Sequence, residues 1–292
     1  MGSLDGRVAI ITGAGRGIGR EHALYFAAEG AKVVVNDLGA TNDGTGADIS
    51  PAQSVVEEIE AMGGEAIVNG ENVADWQGAQ RMINAAIERF GDLDILVNNA
   101  GILRDRVLVN MTEEEWDVVI AVHLKGHFAP SRWAATYWRE QHKAGVTKPR
   151  NIVHTSSTSG LFSNPGQSNY GAAKTGIATF SQIIAKELVR YNVKSNTIAP
   201  GARTRLTLAT PGLEDIMKPA ENSFDQWDPA NISPLVAYLS SEACLFNGET
   251  FFVQGGNVTI IESWKRGARV DRDSKWTVPE LADALAPLVR TT

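Results

Sequence analysis

Cysteine is almost absent: Cys244 is the only one in 292 residues. That excludes an intramolecular disulfide and any cysteine-cluster metal site, and no metal is expected. It also fits a reducing compartment, with Cys244 read as a small buried apolar residue. Long hydrophobic runs are missing too. No stretch approaches the roughly 20 apolar residues of a membrane helix, so no membrane partner is expected. Positive charge is in deficit, with 27 Lys plus Arg against 34 Asp plus Glu and a net charge of −7. That balance argues against nucleic acid as a partner. Met1 to Gly6 lack the basic start and apolar stretch of a signal peptide. Val289-Arg290-Thr291-Thr292 is not a Ser-Lys-Leu-type peroxisomal address. A cytoplasmic protein is expected.

What is present is an alternation. Short apolar runs at Val8–Ile11, Lys32–Asn36, Ala66–Val68, Ile95–Val97, Asn151–His154, Ser195–Ile198 and Phe251–Val253 read as strands. Amphipathic runs at Gly17–Glu29, Pro51–Met62, Asp75–Phe90, from Thr112 onward, Gln167–Val189 and Pro234–Leu239 read as helices. Ser50 is the expected N-cap before Pro51, and Thr112 to Glu115 has the spacing of a capping box. Strands apolar throughout, each followed by a helix, predict a doubly wound α/β fold of Rossmann type. The expected sheet is parallel, of about seven strands, with helices on both faces of a single domain. Gly39–Asp48 is rich in Gly, Asp, Asn and Thr and reads as an exposed loop. Residues 201–230 read as a substrate cover. The catalytic domain is expected over 1–256 and a dependent C-terminal extension over 257–292, with a last helix from Pro279 to about Val289.

Gly13, Gly17 and Gly19 fall directly between the first strand and the first helix. A pyrophosphate needs backbone N–H groups and a helix N-terminus aimed at it, with no side chains in the way. Asp37 ends the second strand, where a carboxylate meets the hydroxyls of an adenosine ribose and repels a 2′-phosphate. That favours NAD over NADP. Arg16, inside the loop, could instead attract a phosphate.

Tyr170 and Lys174 are four residues apart and share one helix face. A free phenol, with a pKa near ~10, is a poor base at neutral pH, and a nearby cation favours phenolate. Ser157 follows the strand ending at His154, where its hydroxyl can hold a substrate oxygen beside the phenol.

Thr12-Gly13-x3-Gly17-x-Gly19, Asn98-Asn99-Ala100-Gly101, Ser157, Tyr170-x3-Lys174 and Asn196 to Gly201 together resemble the short-chain dehydrogenase/reductase family over about residues 6–256. Val35 to Gly39, Asn98 to Arg106 and Val122 to Gly126 further resemble the dehydrogenase part of peroxisomal multifunctional enzyme type 2 and its stand-alone bacterial relatives. The resemblance implies an NAD-dependent oxidoreductase acting on a 3-hydroxyacyl-CoA with a fatty acyl or steroid-derived chain. It implies Ser157 as the oxygen-positioning group, Tyr170 as acid/base, and Lys174 as the group that lowers the Tyr170 pKa and holds the nicotinamide ribose. Gly13, Gly17, Ile18 and Gly19 would line the pyrophosphate, Asp37 the ribose, and Asn72 and Val73 the adenine. Asn98, Ala100 and Gly101 would flank the cofactor, and Pro200 and Gly201 would back the nicotinamide. His123 occupies the fourth catalytic position, where many members carry asparagine. The resemblance also implies a homodimer or homotetramer paired through the helices near 113–140 and 167–189.

Arg104 and Arg106 could anchor a loop at the cofactor site or form surface ion pairs. Arg203, Arg205, Lys265, Arg266 and Arg269 could meet CoA phosphates or form a solvated face. Three alternatives compete: a hydroxysteroid dehydrogenase, a 3-oxoacyl carrier-protein reductase and a non-catalytic NAD-binding regulator.

Overall fold

Val8–Thr12 is buried along its whole length. An apolar run becomes such a strand when helices cover the sheet on both sides. It is the first strand, β1, of a computed structural model that describes residues 2–208, 212–219 and 223–289. The chain then runs through α1 (Gly17–Ala28), β2 (Lys32–Asn36), α2 (Ser50–Ala61), β3 (Glu65–Asn69), α3 (Trp76–Phe90) and β4 (Ile95–Asn98). Next come α4 (Glu113–Ile120), α5 (Gly126–Lys143), β5 (Arg150–Thr155), α6 (Thr158–Phe162), α7 (Ser168–Leu188) and β6 (Val193–Pro200). Two short turns of helix, α8 (Arg205–Leu208) and α9 (Leu213–Ile216), lead to α10 (Ser233–Ser240), β7 (Thr250–Gln254), β8 (Asn257–Ile260) and α11 (Val278–Leu285).

The strands lie in the order β3-β2-β1-β4-β5-β6-β7-β8. The direction of winding reverses between β1 and β4, and ligands of open α/β sheets bind outside the carboxyl ends at such a switch point. The sheet therefore has eight strands, not about seven, and β8 is antiparallel to β7. Gly255 and Gly256 make the intervening turn, with Gly255 at φ +53°, a conformation glycine adopts without steric cost. All four β8 residues are exposed, so no continuous apolar run marks them in the sequence. Residues 257–260 thus lie in the sheet, although the sequence reading placed them in the extension. One compact unit runs to Ile261 and a second begins at Glu262. In the second unit, Thr277 and Glu280 close a capping box on α11, and Arg272 pairs with Glu280.

Two apolar layers hold the sheet. Phe26, Ile11, Val35, Ile59 and Val236 fill one side, and Trp138, Leu96, Ile152, Met82 and Ile184 the other. Trp138 also donates its indole N–H to Leu93 O at 2.7 Å, which satisfies the one polar atom of a buried indole.

The amino ends of the strands carry a buried charge network. Arg7 donates to Ser240 O (2.7 Å), Pro149 O (2.9 Å) and Asn151 Oδ1 (3.1 Å). Arg150 meets Asp92 at 2.7 Å and Asp94 at 2.9 Å, and Lys148 reaches both carboxylates at 2.6 Å. Burial alone would raise the Asp92 carboxyl, but Arg150 and Lys148 bring it down to about 2.

Two local expectations change. Ser50 is the first helical residue rather than the N-cap; its N–H and hydroxyl both donate to Asp48 Oδ1. The helix opened by the Thr112–Glu115 capping box does not continue regularly into α5, because Ala121–Lys125 forms a π-helical turn. Within the expected cover over 201–230, residues 209–211 and 220–222 lie outside the described residues.

Candidate active site

A cleft of about 390 Å³ opens at the carboxyl ends of the strands, within the range of small-molecule sites. At one end lies the loop from β1 to α1. Gly13 and Gly17 have φ of +64° and +55°, and a Cβ on Gly13 would stand 2.7 Å from the Ala100 Cα. Side chains there would break both the turn and its approach to β4. Arg16, the N-cap of α1, supplies no side-chain acceptor to the helix. The first N–H groups of α1 are thus left for an anion.

Asp37 sits beside this loop. Its carboxylate accepts the N–H of Gly15 at 2.7 Å and of Gly39 at 2.7 Å. The 39–48 segment is an irregular loop exposed over Thr45–Asp48, as expected, but its first half turns to the cleft. Ala40, Thr41, Asn42 and Gly44 line the cleft, and Asn42 O accepts the N–H of Leu103 at 3.0 Å.

At the other end Ser157, Tyr170, Lys174 and His123 line the same cleft. The first turn of α7 presents Tyr170, and one turn later Lys174 is buried with its Nζ 5.4 Å from the phenol ring centre. That Nζ donates to Thr155 O at 2.6 Å. His123, in the π-helical turn, meets the Tyr170 ring edge-on at 5.0 Å. Its Nε2 lies 2.8 Å from Ile102 O and 3.1 Å from Ile102 N. The side chain, and not only the backbone, therefore holds the loop after β4.

The electrostatics differ from the expected lowering of Tyr170. Burial pushes the phenol up to about 12; the Ser157 hydroxyl pulls it down, and the Asp105 carboxylate raises it. Burial also pushes Lys174 down to about 7, which weakens the cation meant to lower the phenol. His123 is held well below its usual value by burial and by Lys174, so the imidazole is neutral.

The cleft brings together Gly13, Arg16, Gly17, Ile18, Gly19, Asp37, Asn72, Val73, Ala100, Gly101 and Pro200 with those four groups. Asn98 and Gly201 do not line it. The Asn98 side chain turns into the layer behind the sheet and donates to Ser131 Oγ at 3.0 Å. Gly201 faces Gln254 and donates its N–H to Val253 O at 2.8 Å.

Arg104 donates to Asp43 O at 2.7 Å, a loop anchor beside the cleft, whereas Arg106 pairs with Glu115 at 3.1 Å. Arg203 is held by Asp225 at 2.5 Å, Lys265 by Glu262 and Arg269 by Asp271. Arg205 lines the cleft with Arg16, and neither makes an ion pair among the described residues. Thr204, Leu206 and Thr207 line the cleft from within the expected substrate cover, whereas Ala40, Thr41, Asn42 and Gly44 line it without having been expected there. The one available signal for the latter four was that they follow Asp37 in the chain.

The family model for short chain dehydrogenases matches residues 7–210. This chain belongs to the short-chain dehydrogenase/reductase family. A hydroxyacyl-CoA dehydrogenase, ChsB1, of Mycobacterium tuberculosis is 40% identical over 97% of this chain and 88% of its own length. Peroxisomal multifunctional enzyme type 2 of Drosophila melanogaster is 48% identical over 84% of this chain, and the match spans 38% of that longer protein. The crystal structure of a short chain dehydrogenase from Mycobacterium avium superposes with a TM-score of 0.87 at 50% identity, covering 98% of this chain and 95% of that one. The protein is thus a short-chain alcohol dehydrogenase. The family uses a nicotinamide dinucleotide, NAD or NADP, and the glycine-rich loop with the uncapped start of α1 fits its pyrophosphate.

Proposed function

We propose that the enzyme oxidises the secondary alcohol of a 3-hydroxyacyl-CoA to the 3-oxo thioester with NAD. The observation that carries this reading is the meeting of Ser157, Tyr170 and Lys174 in the cleft whose far end holds the glycine loop and Asp37. Gly13, Gly17, Ile18 and Gly19 would hold the pyrophosphate, Asp37 the ribose hydroxyls, Asn72 and Val73 the adenine, and Ala100, Gly101 and Pro200 the nicotinamide face. Bound there, the nicotinamide supplies a hydride acceptor at C4.

The protein's own part is positional and protonic. The Ser157 hydroxyl holds the substrate oxygen, and Tyr170 Oη takes the hydroxyl proton. Burial disfavours both the phenolate and the ammonium, and the Ser157 hydroxyl favours the phenolate. The proton delivered to Tyr170 is the step that oxidation needs, so oxidation rises with pH and ketone reduction falls.

Asp37 supports NAD, since its carboxylate would repel a ribose phosphate. Arg16 and Arg205 nearby are the specific observation for a second reading, NADP-dependent ketone reduction. Of the basic residues considered for CoA, Arg205 lines the cleft and makes no ion pair among the described residues, which leaves it the better phosphate contact. The partly exposed Phe128 on α5 and Ile183 on α7 support pairing of copies through these helices, which light scattering would test.

The deciding experiment is NADH formation on a panel of 3-hydroxyacyl-CoA thioesters with short, medium and steroid-derived chains, in both C3 configurations, beside CoA-free steroid alcohols. Selective oxidation of thioesters is the expected result. Oxidation of the free steroid alcohols alone would reassign the substrate. No turnover on any of them would overturn the reading.

A further inference from the structure

Asn169 precedes Tyr170 on the first turn of α7 and is fully buried. A buried amide in a helix start needs partners for two N–H groups and one oxygen, and here all are engaged. Its Oδ1 accepts the backbone N–H of Tyr170 at 2.7 Å, one of the donors that a helix start leaves without an intrahelical acceptor. Its Nδ2 donates to Arg104 O at 3.0 Å and to Glu115 O at 3.0 Å. One side chain thereby ties three segments: the loop after β4, the first turn of α4 and the residue that carries the phenol.

The same loop is fastened on either side of that point. Gln167 Nε2 donates to Asp105 Oδ2 at 2.7 Å, and Arg106 N–H donates to Gly166 O at 2.8 Å. Upstream, His123 holds Ile102 at its backbone. Arg104, whose carbonyl Asn169 grips, extends its own side chain to Asp43 O on the strap that lines the nucleotide end. The phenol is therefore seated by contacts that run back to both ends of the cleft, and they converge at Asn169.

We propose that Asn169 is a positioning residue that sets where Tyr170 Oη stands relative to Ser157 and the substrate oxygen. This rests on Tyr170 being the proton-transfer group. Asn169 touches neither substrate nor reacting atoms and acts through the Tyr170 backbone and the 102–106 loop. A displacement of about 1 Å at such a site costs on the order of 100-fold in rate.

The test compares Asn169→Ala, Asn169→Asp and Asn169→Ser with the wild type and with Tyr170→Phe, measuring kcat and the Kd for NADH by fluorescence. Ala removes all three hydrogen bonds. Asp keeps the acceptor but sets a carboxylate against two carbonyls. Ser keeps one donor and one acceptor on a shorter arm. The expected result is a fall in kcat of roughly 10- to 100-fold for Ala and Asp, an intermediate value for Ser, and an NADH Kd within about two-fold of the wild type. A kcat within two-fold of wild type in Ala and Asp overturns the proposal, as does a loss of kcat matched by an equal loss of NADH affinity. If Ala and Asp do not fold, Ser decides by the same two numbers. Tyr170→Phe retaining turnover would overturn the reading of Tyr170 itself, so the two failures are told apart.

Discussion

The two ends of the sheet treat buried charge in opposite ways. At the amino end, buried Arg7, Arg150 and Asp94 and the partly exposed Asp92 and Lys148 are bonded to one another and to backbone carbonyls, so each buried charge has a counter-charge or a dipole. At the carboxyl end, Lys174 has one hydrogen bond and no carboxylate partner among the described residues. His123 Nδ1 and Thr155 Oγ1 are buried there without protein partners. Paired buried charges are costly to break because removing one strands the other. Unpaired groups leave bonding capacity for a ligand, at a cost in stability. The amino end holds the fold together, and the carboxyl end is held ready by it.

The largest test of that contrast is Tyr170→Phe. Turnover should fall by roughly 100- to 10,000-fold with the thermal midpoint within a few degrees of wild type. Substantial residual turnover in a steady-state assay would break the assignment of the carboxyl end. Arg150→Ala should do the reverse, costing about 3–5 kcal/mol in denaturant unfolding while kcat per folded molecule stays unchanged. A matched loss of kcat would show that the two ends are not separable. Lys174→Met sharpens the point further. It removes a buried ammonium whose burial is unfavourable, so turnover should collapse while stability holds or rises by about 1 kcal/mol; a clear drop in melting temperature counts against this account.

Acid should expose a third class of buried group. His22 lies on α1, fully buried, with Nδ1 2.9 Å from Ser233 Oγ. Burial lowers it from 6.5 to about 3. Its folded value is the depressed one, so the unfolded chain binds the proton first. The stability it contributes is complete above about pH 6.5 and is lost as pH falls toward 3, at about 1.4 kcal/mol per pH unit. Urea titrations from pH 7 to 4 should therefore show a shallower loss for His22→Leu than for wild type. An equal slope would place the acid sensitivity elsewhere.

The smallest expected effect concerns the cofactor. Asp37→Asn leaves the side-chain oxygen for one of the two backbone N–H groups and removes the charge, while Arg16 and Arg205 remain. The ratio of kcat/KM for NADP to that for NAD should rise about ten-fold, a change of about 1.4 kcal/mol. An unchanged ratio would remove Asp37 as the discriminating group.

The sequence made the sheet legible because β1, β2, β4 and β5 each carry an apolar stretch at their centre, as a strand covered on both faces requires. It also made the glycine loop and the Ser157, Tyr170 and Lys174 set legible, since each is fixed by spacing along one turn or one helix face. β8 escaped because its pairing depends on a glycine turn and not on burial. The strap over 39–48 escaped because polar, glycine-rich segments read alike whether they face solvent or a cleft. The pairing of Arg150 with Asp92 and Asp94 joins residues more than fifty positions apart, and only the folded sheet brings them together. Asn169 escaped for a related reason, since two of its three partners lie on other segments.

The π-helical turn at Ala121–Lys125 makes the chain sensitive to length at one place. Such a turn holds an extra residue against the 3.6-residue repeat, so α4 and α5 are out of phase with a single regular helix. The offset lets the segment set His123 against the Tyr170 ring and still seat Trp138 in the core. Deleting a single residue there would rotate one half against the other by about 100°. Either the imidazole or the indole would then face the wrong way. Point substitutions in this turn are therefore far better tolerated than a one-residue gap, and homologous chains of differing loop lengths should keep this stretch at constant length.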